Sequence, residues 1–205
     1  MSLTLLGWRR EVARLYADVR ACDSDPRGAW ERWRAGRDRL FAEHPDSPLD
    51  RAAARSLPFA PYDPSLRFVS ELDGGVEDVR MEVPTAADGA VPFVRIGRVT
   101  LGDLGSLDVW WLDSYGGGIF LPLHDGSSGD TQGSAQSYGG GRYVLDTVKG
   151  ADLGGTDGRL VVDLNFAYHP SCAYNPQWSC PLAPAGNRLQ ASVAAGEQLP
   201  PGGWY

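Results

Sequence analysis

The chain has 205 residues, 42% of them hydrophobic and 22% charged, with a formal net charge of −7 at pH 7. That length and balance suit one domain, or one domain with a helical extension, with enough apolar residues for a full core. The negative charge excludes nucleic acid as the default partner, because phosphate binding needs a concentrated positive surface, and no apolar run approaches the roughly 18 residues of a membrane span.

Near the N-terminus Leu5, Leu6, Trp8, Val12, Leu15, Tyr16 and Val19 recur at three- and four-residue steps, which predicts an amphipathic helix. No basic segment precedes its apolar residues, and Glu11 and Asp18 lie within it, so it does not read as a signal peptide. A reducing cytoplasm is the expected compartment. There Cys22, Cys172 and Cys180 are read as thiols or ligands before they are read as a disulfide framework. Asp23-Ser-Asp-Pro26 ends the first helix and opens a second over 26–43, with Trp30, Trp33, Leu40 and Phe41 on one side. Arg27, Arg32, Arg34, Arg37 and Arg39 cluster there and are read mostly as a solvated face paired with Glu31, Asp38 and Glu43. His44-Pro-Asp-Ser-Pro48 stops the helix.

Leu57-Pro-Phe-Ala-Pro-Tyr-Asp-Pro64 is a proline-stiffened linker. Beyond it the pattern changes to alternation and short apolar runs, predicting strands over 67–72, 77–83, 92–101, 107–111, 119–123, 142–148, 160–164 and 189–194. Serial short strands with no helical pattern between them pair antiparallel, since parallel neighbours need long crossovers. The expected fold class is therefore α+β. An N-terminal pair of amphipathic helices over 1–56 packs on a mainly antiparallel β-barrel or β-sandwich over 57–205, which includes a long C-terminal loop.

The stretch 137–174 has the composition of a built site. In Gly139-Gly-Gly-Arg142 the glycines can turn backbone N–H groups into a concave anion site beside a guanidinium; equally, they can form a β-turn, with Arg142 paired internally to Asp163 or Glu197. Asp163 and Asn165 stand two apart at a strand end and share a face. They can line a polar pocket with Tyr168, Tyr174 and Asn187, or bond backbone groups of the long coil after Phe166. Cys172 and Cys180 read as buried thiols, as a bridge or redox pair, or as a reactive thiol or ligand. His124-Asp125 with His169 has too weak a pattern for a metal site, and neither a phosphate-binding loop nor a dinucleotide fingerprint is present. No metal and no cofactor are expected.

Several fragments carry a family resemblance: Phe41-Ala-Glu-His-Pro-Asp-Ser-Pro-Leu49, Phe59-Ala-Pro-Tyr-Asp-Pro64, Ser137-Tyr-Gly-Gly-Gly-Arg-Tyr143, Asp163-Leu-Asn-Phe-Ala-Tyr-His-Pro-Ser-Cys-Ala-Tyr174, Cys180-Pro-Leu182 and Asn187-Arg-Leu189. In this order they resemble the bacterial domain-of-unknown-function family sixteen eighty-four, which carries no settled activity. The chain departs from the family pattern twice. An extra Gln132–Gln136 stretch separates Ser128-Gly129 from Tyr138, with Ser137 where Thr is usual, and His169 stands where the family has Asn before proline. An imidazole there changes the donor set and adds titration near neutrality.

Together these readings predict a small polar or anionic ligand held by Tyr138, Gly140, Arg142, Asp163, Asn165, Tyr168, His169 and Tyr174, with Arg142 as anion clamp. Two alternatives stay open. One is an enzyme using His169 with Asp163 as an acid–base pair in the same pocket; the other is a scaffold presenting its Trp-rich helices to a partner.

Overall fold

Two 18-residue helices lead the chain, α1 over Leu3–Arg20 and α2 over Pro26–Glu43. Asp25 starts α2 by accepting the Gly28 N–H at 3.0 Å, with Pro26 in the first turn, and the helix ends at extended His44 just ahead of Pro45. The computed structural model describes residues 3–50, 56–85, 89–130, 132–133 and 135–204. Among them no helix is long and apolar enough to cross a membrane.

The β part holds seven strands: β1 Arg67–Glu71, β2 Arg80–Thr85, β3 Gly89–Thr100, β4 Ser106–Leu112, β5 Ile119–Leu123, β6 Arg142–Asp146 and β7 Arg159–Asp163. β2 to β6 form one antiparallel sheet in sequence order, while β7 leaves it to pair antiparallel with β1, Arg67 opposite Asp163. The fold is thus α+β with two antiparallel sheets, and the five-stranded sheet is not closed into a barrel, one of the two expected arrangements. Closure would need a strand along the outer edge of β6. That edge is instead covered by coil, through Tyr143 paired with Tyr168 and Asp146 paired with Ala151.

The predicted strand over 189–194 is absent, and residues 189–195 run as coil. Only isolated backbone bonds tie it, Leu189 N–H to His124 O and Gly126 N–H to Ala191 O, and beyond them side chains take over: Val193 N–H bonds to Asp125, and the carbonyls of Val193 and Ala195 to Arg142. Alternation read from the sequence cannot distinguish a strand from an extended coil tied in this way.

Helices and sheets share one core. Leu15, Tyr16, Trp30 and Trp33 belong to the same buried cluster as Val99, Leu107, Leu121, Val144, Val162 and Phe166. The Trp33 ring lies 4.9 Å from that of Phe166 and 5.5 Å from that of Phe59. The aromatic stripe of α2 therefore faces inward, within the chain's own core.

Candidate functional site

The triple glycine is a turn. Gly141 N–H bonds to Tyr138 O at 2.8 Å, and of the three glycines only Gly141 has a positive φ, +85°. A Cβ there would also stand 2.5 Å from Leu123 O, which fixes glycine at the entry to β6. Gly140 lies beneath the Tyr138 ring and Leu182.

Arg142, the first residue of β6, is 0% exposed. Its Nη2 donates to Asp125 Oδ1 at 3.0 Å and to Val193 O at 3.2 Å; its Nη1 donates to the carbonyls of Ala195 and Glu197. Asp125 in turn accepts the N–H groups of Ser127 and Val193. Burial alone would push its carboxyl up, but Arg142 and these donors hold it below the ordinary carboxylate value. Arg142 thus pairs internally, with Asp125 rather than with Asp163 or a Glu197 carboxylate, and stitches three carbonyls of the C-terminal coil to the sheet.

Asp163 and Asn165 also face protein groups. Asp163 accepts from Asn165 N and Nδ2 at 3.0 and 2.7 Å and from the Tyr62 hydroxyl at 3.2 Å. The Asn165 amide bonds both ways to the backbone of Asp63, at 2.8 Å each, and the Asn165 carbonyl accepts the Trp30 indole N–H. This pair anchors the proline linker and α2 to the end of β7.

The remaining predicted residues converge with Glu197, read from the sequence only as a partner for Arg142, and with Arg37, read as part of a solvated face. Glu197, 0% exposed, accepts Arg37 Nη2 at 2.9 Å and His169 N at 3.1 Å on Oε2, and the Tyr174 hydroxyl on Oε1. Arg37 also donates to Tyr174 Oη at 3.0 Å, and its guanidinium lies 4.3 Å from the Phe41 ring centre and 4.9 Å from that of Tyr168. Burial works against the Glu197 charge, yet Arg37, His169 and Tyr174 bring its pKa down to about 2. His169 is 1% exposed, and its Nε2 accepts Tyr138 N–H at 3.1 Å. That bond places the proton of a neutral ring on Nδ1, which lies 3.7 Å from Glu197 Oε1. Burial, the largest influence, keeps His169 below the ordinary histidine value despite the carboxylate. The acid beside His169 is therefore Glu197, while Asp163 belongs to the separate Tyr62–Asn165 cluster.

A cleft of about 90 Å³ opens where these groups meet. Tyr16 comes from α1, Arg37 and Phe41 from α2, Lys149 from the turn after β6, and Tyr168, His169 and Tyr174 from the following coil. Three buried polar atoms of its lining residues make no hydrogen bond: Tyr16 Oη, Arg37 Nε and His169 Nδ1, the last 3.7 Å from Glu197 Oε1. Each can donate a hydrogen bond. Four larger hollows lie elsewhere. One of about 340 Å³ borders Arg67 and Asp163, and one of about 380 Å³ is walled by Phe93, Phe120 and Trp178. No group of three or more His, Cys, Asp or Glu able to hold a metal ion occurs among the described residues.

The sequence assigned Arg37 to a solvated face and left Tyr16 and Lys149 without a site role. The signal for Arg37 was present: it stands four residues after Trp33 and four before Phe41, on the buried stripe of α2.

Fold and site define an α+β protein of two helices on two antiparallel sheets, with a small buried polar cleft at their junction. The chain belongs to the family described as Protein of unknown function (DUF1684), whose model matches residues 53–198, as the motifs indicated. It is also similar to an uncharacterised protein of Haloarcula marismortui solved by NMR in solution. The two share 30% identity over 85% of this chain and 95% of that one, with a TM-score of 0.59. No functionally curated protein matches the chain.

Proposed function

We propose that the protein binds a small molecule bearing an oxyanion, a carboxylate or phosphate, in the cleft between α1, α2 and the coil 168–174. The observation that carries this reading is the set of three buried donors without a hydrogen bond, Tyr16 Oη, Arg37 Nε and His169 Nδ1, on residues lining one cleft. Buried donors left unpaired cost about 1–3 kcal/mol each, so a site holding three is built for an acceptor. The anion clamp expected at Arg142 moves to Arg37, because the Arg142 Nη groups already serve Asp125 and three carbonyls. Of the residues expected to bind, Tyr168, His169 and Tyr174 stay at the site. Tyr138 supports His169 through its N–H, and Gly140, Asp163 and Asn165 hold the surrounding structure.

A second reading, acid–base catalysis in the same cleft, is favoured by one observation: a buried neutral imidazole stands 3.7 Å from an ionised carboxylate. Here His169 would exchange the proton and Glu197 would orient it.

Thermal unfolding with millimolar inorganic phosphate, acetate or glycolate tests the binding reading. At a hundredfold excess over Kd, a bound probe raises the midpoint by about 5 °C or more. Tyr16→Phe and Arg37→Lys weaken that shift. Unchanged midpoints with all three probes, for a folded wild-type protein, would reject the reading.

A further inference from the structure

The five-stranded sheet buries a second apolar face besides the one that meets the helices. Phe93, Trp110 and Phe120 stand on it, whereas Val109 and Leu121, their neighbours along β4 and β5, belong to the core shared with α1 and α2. No regular element covers this second face. The coil over 175–182 crosses it, pinned where the Tyr143 hydroxyl donates to Pro181 O and where Cys180 packs on the cluster. Asn175 sets the turn of that coil, accepting Gln177 N–H on Oδ1 at 3.0 Å and Trp178 N–H on its carbonyl at 3.2 Å. The cover is incomplete. A hollow of about 380 Å³ remains, walled by Phe93, Phe120, Val148 and Trp178, with Asp146 and Lys149 as its charged lining residues. Trp178 and Val148 are exposed there, so the hollow is open to solvent.

We propose that this hollow is a second binding site, apart from the cleft, for a small aromatic carboxylic acid. Size and walls set the body of the guest. An apolar cavity of about 150 Å³ takes benzene, so this one has room for about two fused rings. The Phe93 and Phe120 rings, 5.2 Å apart and tilted by 35°, together with the Trp178 indole offer faces and edges to a flat ring system. Charge sets its polar end. Lys149 Nζ bonds Asp146 Oδ2 at 3.2 Å, but the Asp146 side chain is 8% exposed and that of Lys149 48%. An entering molecule therefore meets the ammonium, which has three N–H donors and can take a carboxylate while keeping Asp146. Asp146 and Lys149 also border the cleft, so the two spaces share one wall. Their demands differ: hydrogen-bond acceptors alone on one side of that wall, an aromatic body on the other.

NMR and calorimetry on the intact protein with 2-naphthoate test this. In the wild-type protein the Trp178 indole N–H resonance is expected to shift and saturate with 2-naphthoate and to ignore acetate, which lacks a ring. Acetate reports on the cleft through Arg37 and His169, so either site can fail without the other. Trp178→Ala and Lys149→Met change exposed side chains and leave the fold intact. By calorimetry the first is expected to weaken 2-naphthoate about tenfold, and the second about three- to fivefold. The cation 2-naphthylmethylammonium is expected to bind more weakly than 2-naphthoate. A Trp178 signal that stays still up to millimolar 2-naphthoate would overturn the proposal. So would 2-naphthoate shifts confined to Arg37 and His169, or equal affinity for the cation.

Discussion

Arg37 and Arg142 are both buried guanidinium groups, yet their environments assign them opposite roles. Arg142 meets a carboxylate and three carbonyls with its two Nη groups, whereas Arg37 bonds Glu197 and Tyr174 through one Nη group; the Nε of each is unpaired, but only Arg37 lines the cleft. Removing Arg142 leaves Asp125 as an uncompensated buried charge, so Arg142→Met is expected to cost about 3–5 kcal/mol in urea unfolding; a loss under about 1 kcal/mol would contradict the structural role. Glu197 makes stability depend on acid. Its folded pKa of about 2 lies below the ordinary 4.5, so the stabilisation, about 3 kcal/mol, is present above pH 4.5 and lost as pH falls toward 2. His169 adds in the same direction, since its depressed pKa lets the unfolded chain take up a proton first as pH drops below 6.5. Asp163, raised by burial, works the other way over the carboxylate range. Urea unfolding midpoints from pH 7 to pH 3 are expected to fall, and Glu197→Gln is expected to flatten the part of that curve below pH 4.5.

At the scale of elements, the residues disclosed most of what local pattern controls. Both helices, their proline-marked breaks and all seven strands follow from periodicity and turn residues, because those signals act within a few positions. The site was legible only in part. Tyr168, His169 and Tyr174 stood out by type, but their partners Arg37 and Glu197 lie far off in sequence and meet them only through packing of α2 on the coil. The partners of Arg142 were hidden for the same reason, since the carbonyls it holds belong to the segment 193–197, whose alternation imitates a strand. The Gly139–Gly141 turn gives an element-level test. Gly141→Ala imposes a left-handed φ on an L-residue and a clash with Leu123 O, so it is expected to cost about 1–2 kcal/mol or more in urea unfolding. Gly139→Ala meets only ordinary contact at 3.7 Å and is expected to change stability far less. Equal costs at the two positions would reject the turn assignment.

For the molecule as a whole, the helices complete both the core and the cleft. α1 and α2 lie ahead of the span matched by the family model, yet they supply Tyr16 and Arg37 to the cleft and Trp30 and Trp33 to the shared core. The most direct test of oxyanion binding there is NMR of the side-chain N–H groups while inorganic phosphate, then acetate, is added to the intact protein. Binding at the cleft predicts that the Arg37 Nε–H and His169 Nδ1–H resonances shift together and saturate, while the Arg142 side-chain signal stays still. Signals at Arg37 and His169 that ignore both anions, or a response centred on Arg142, would contradict the account.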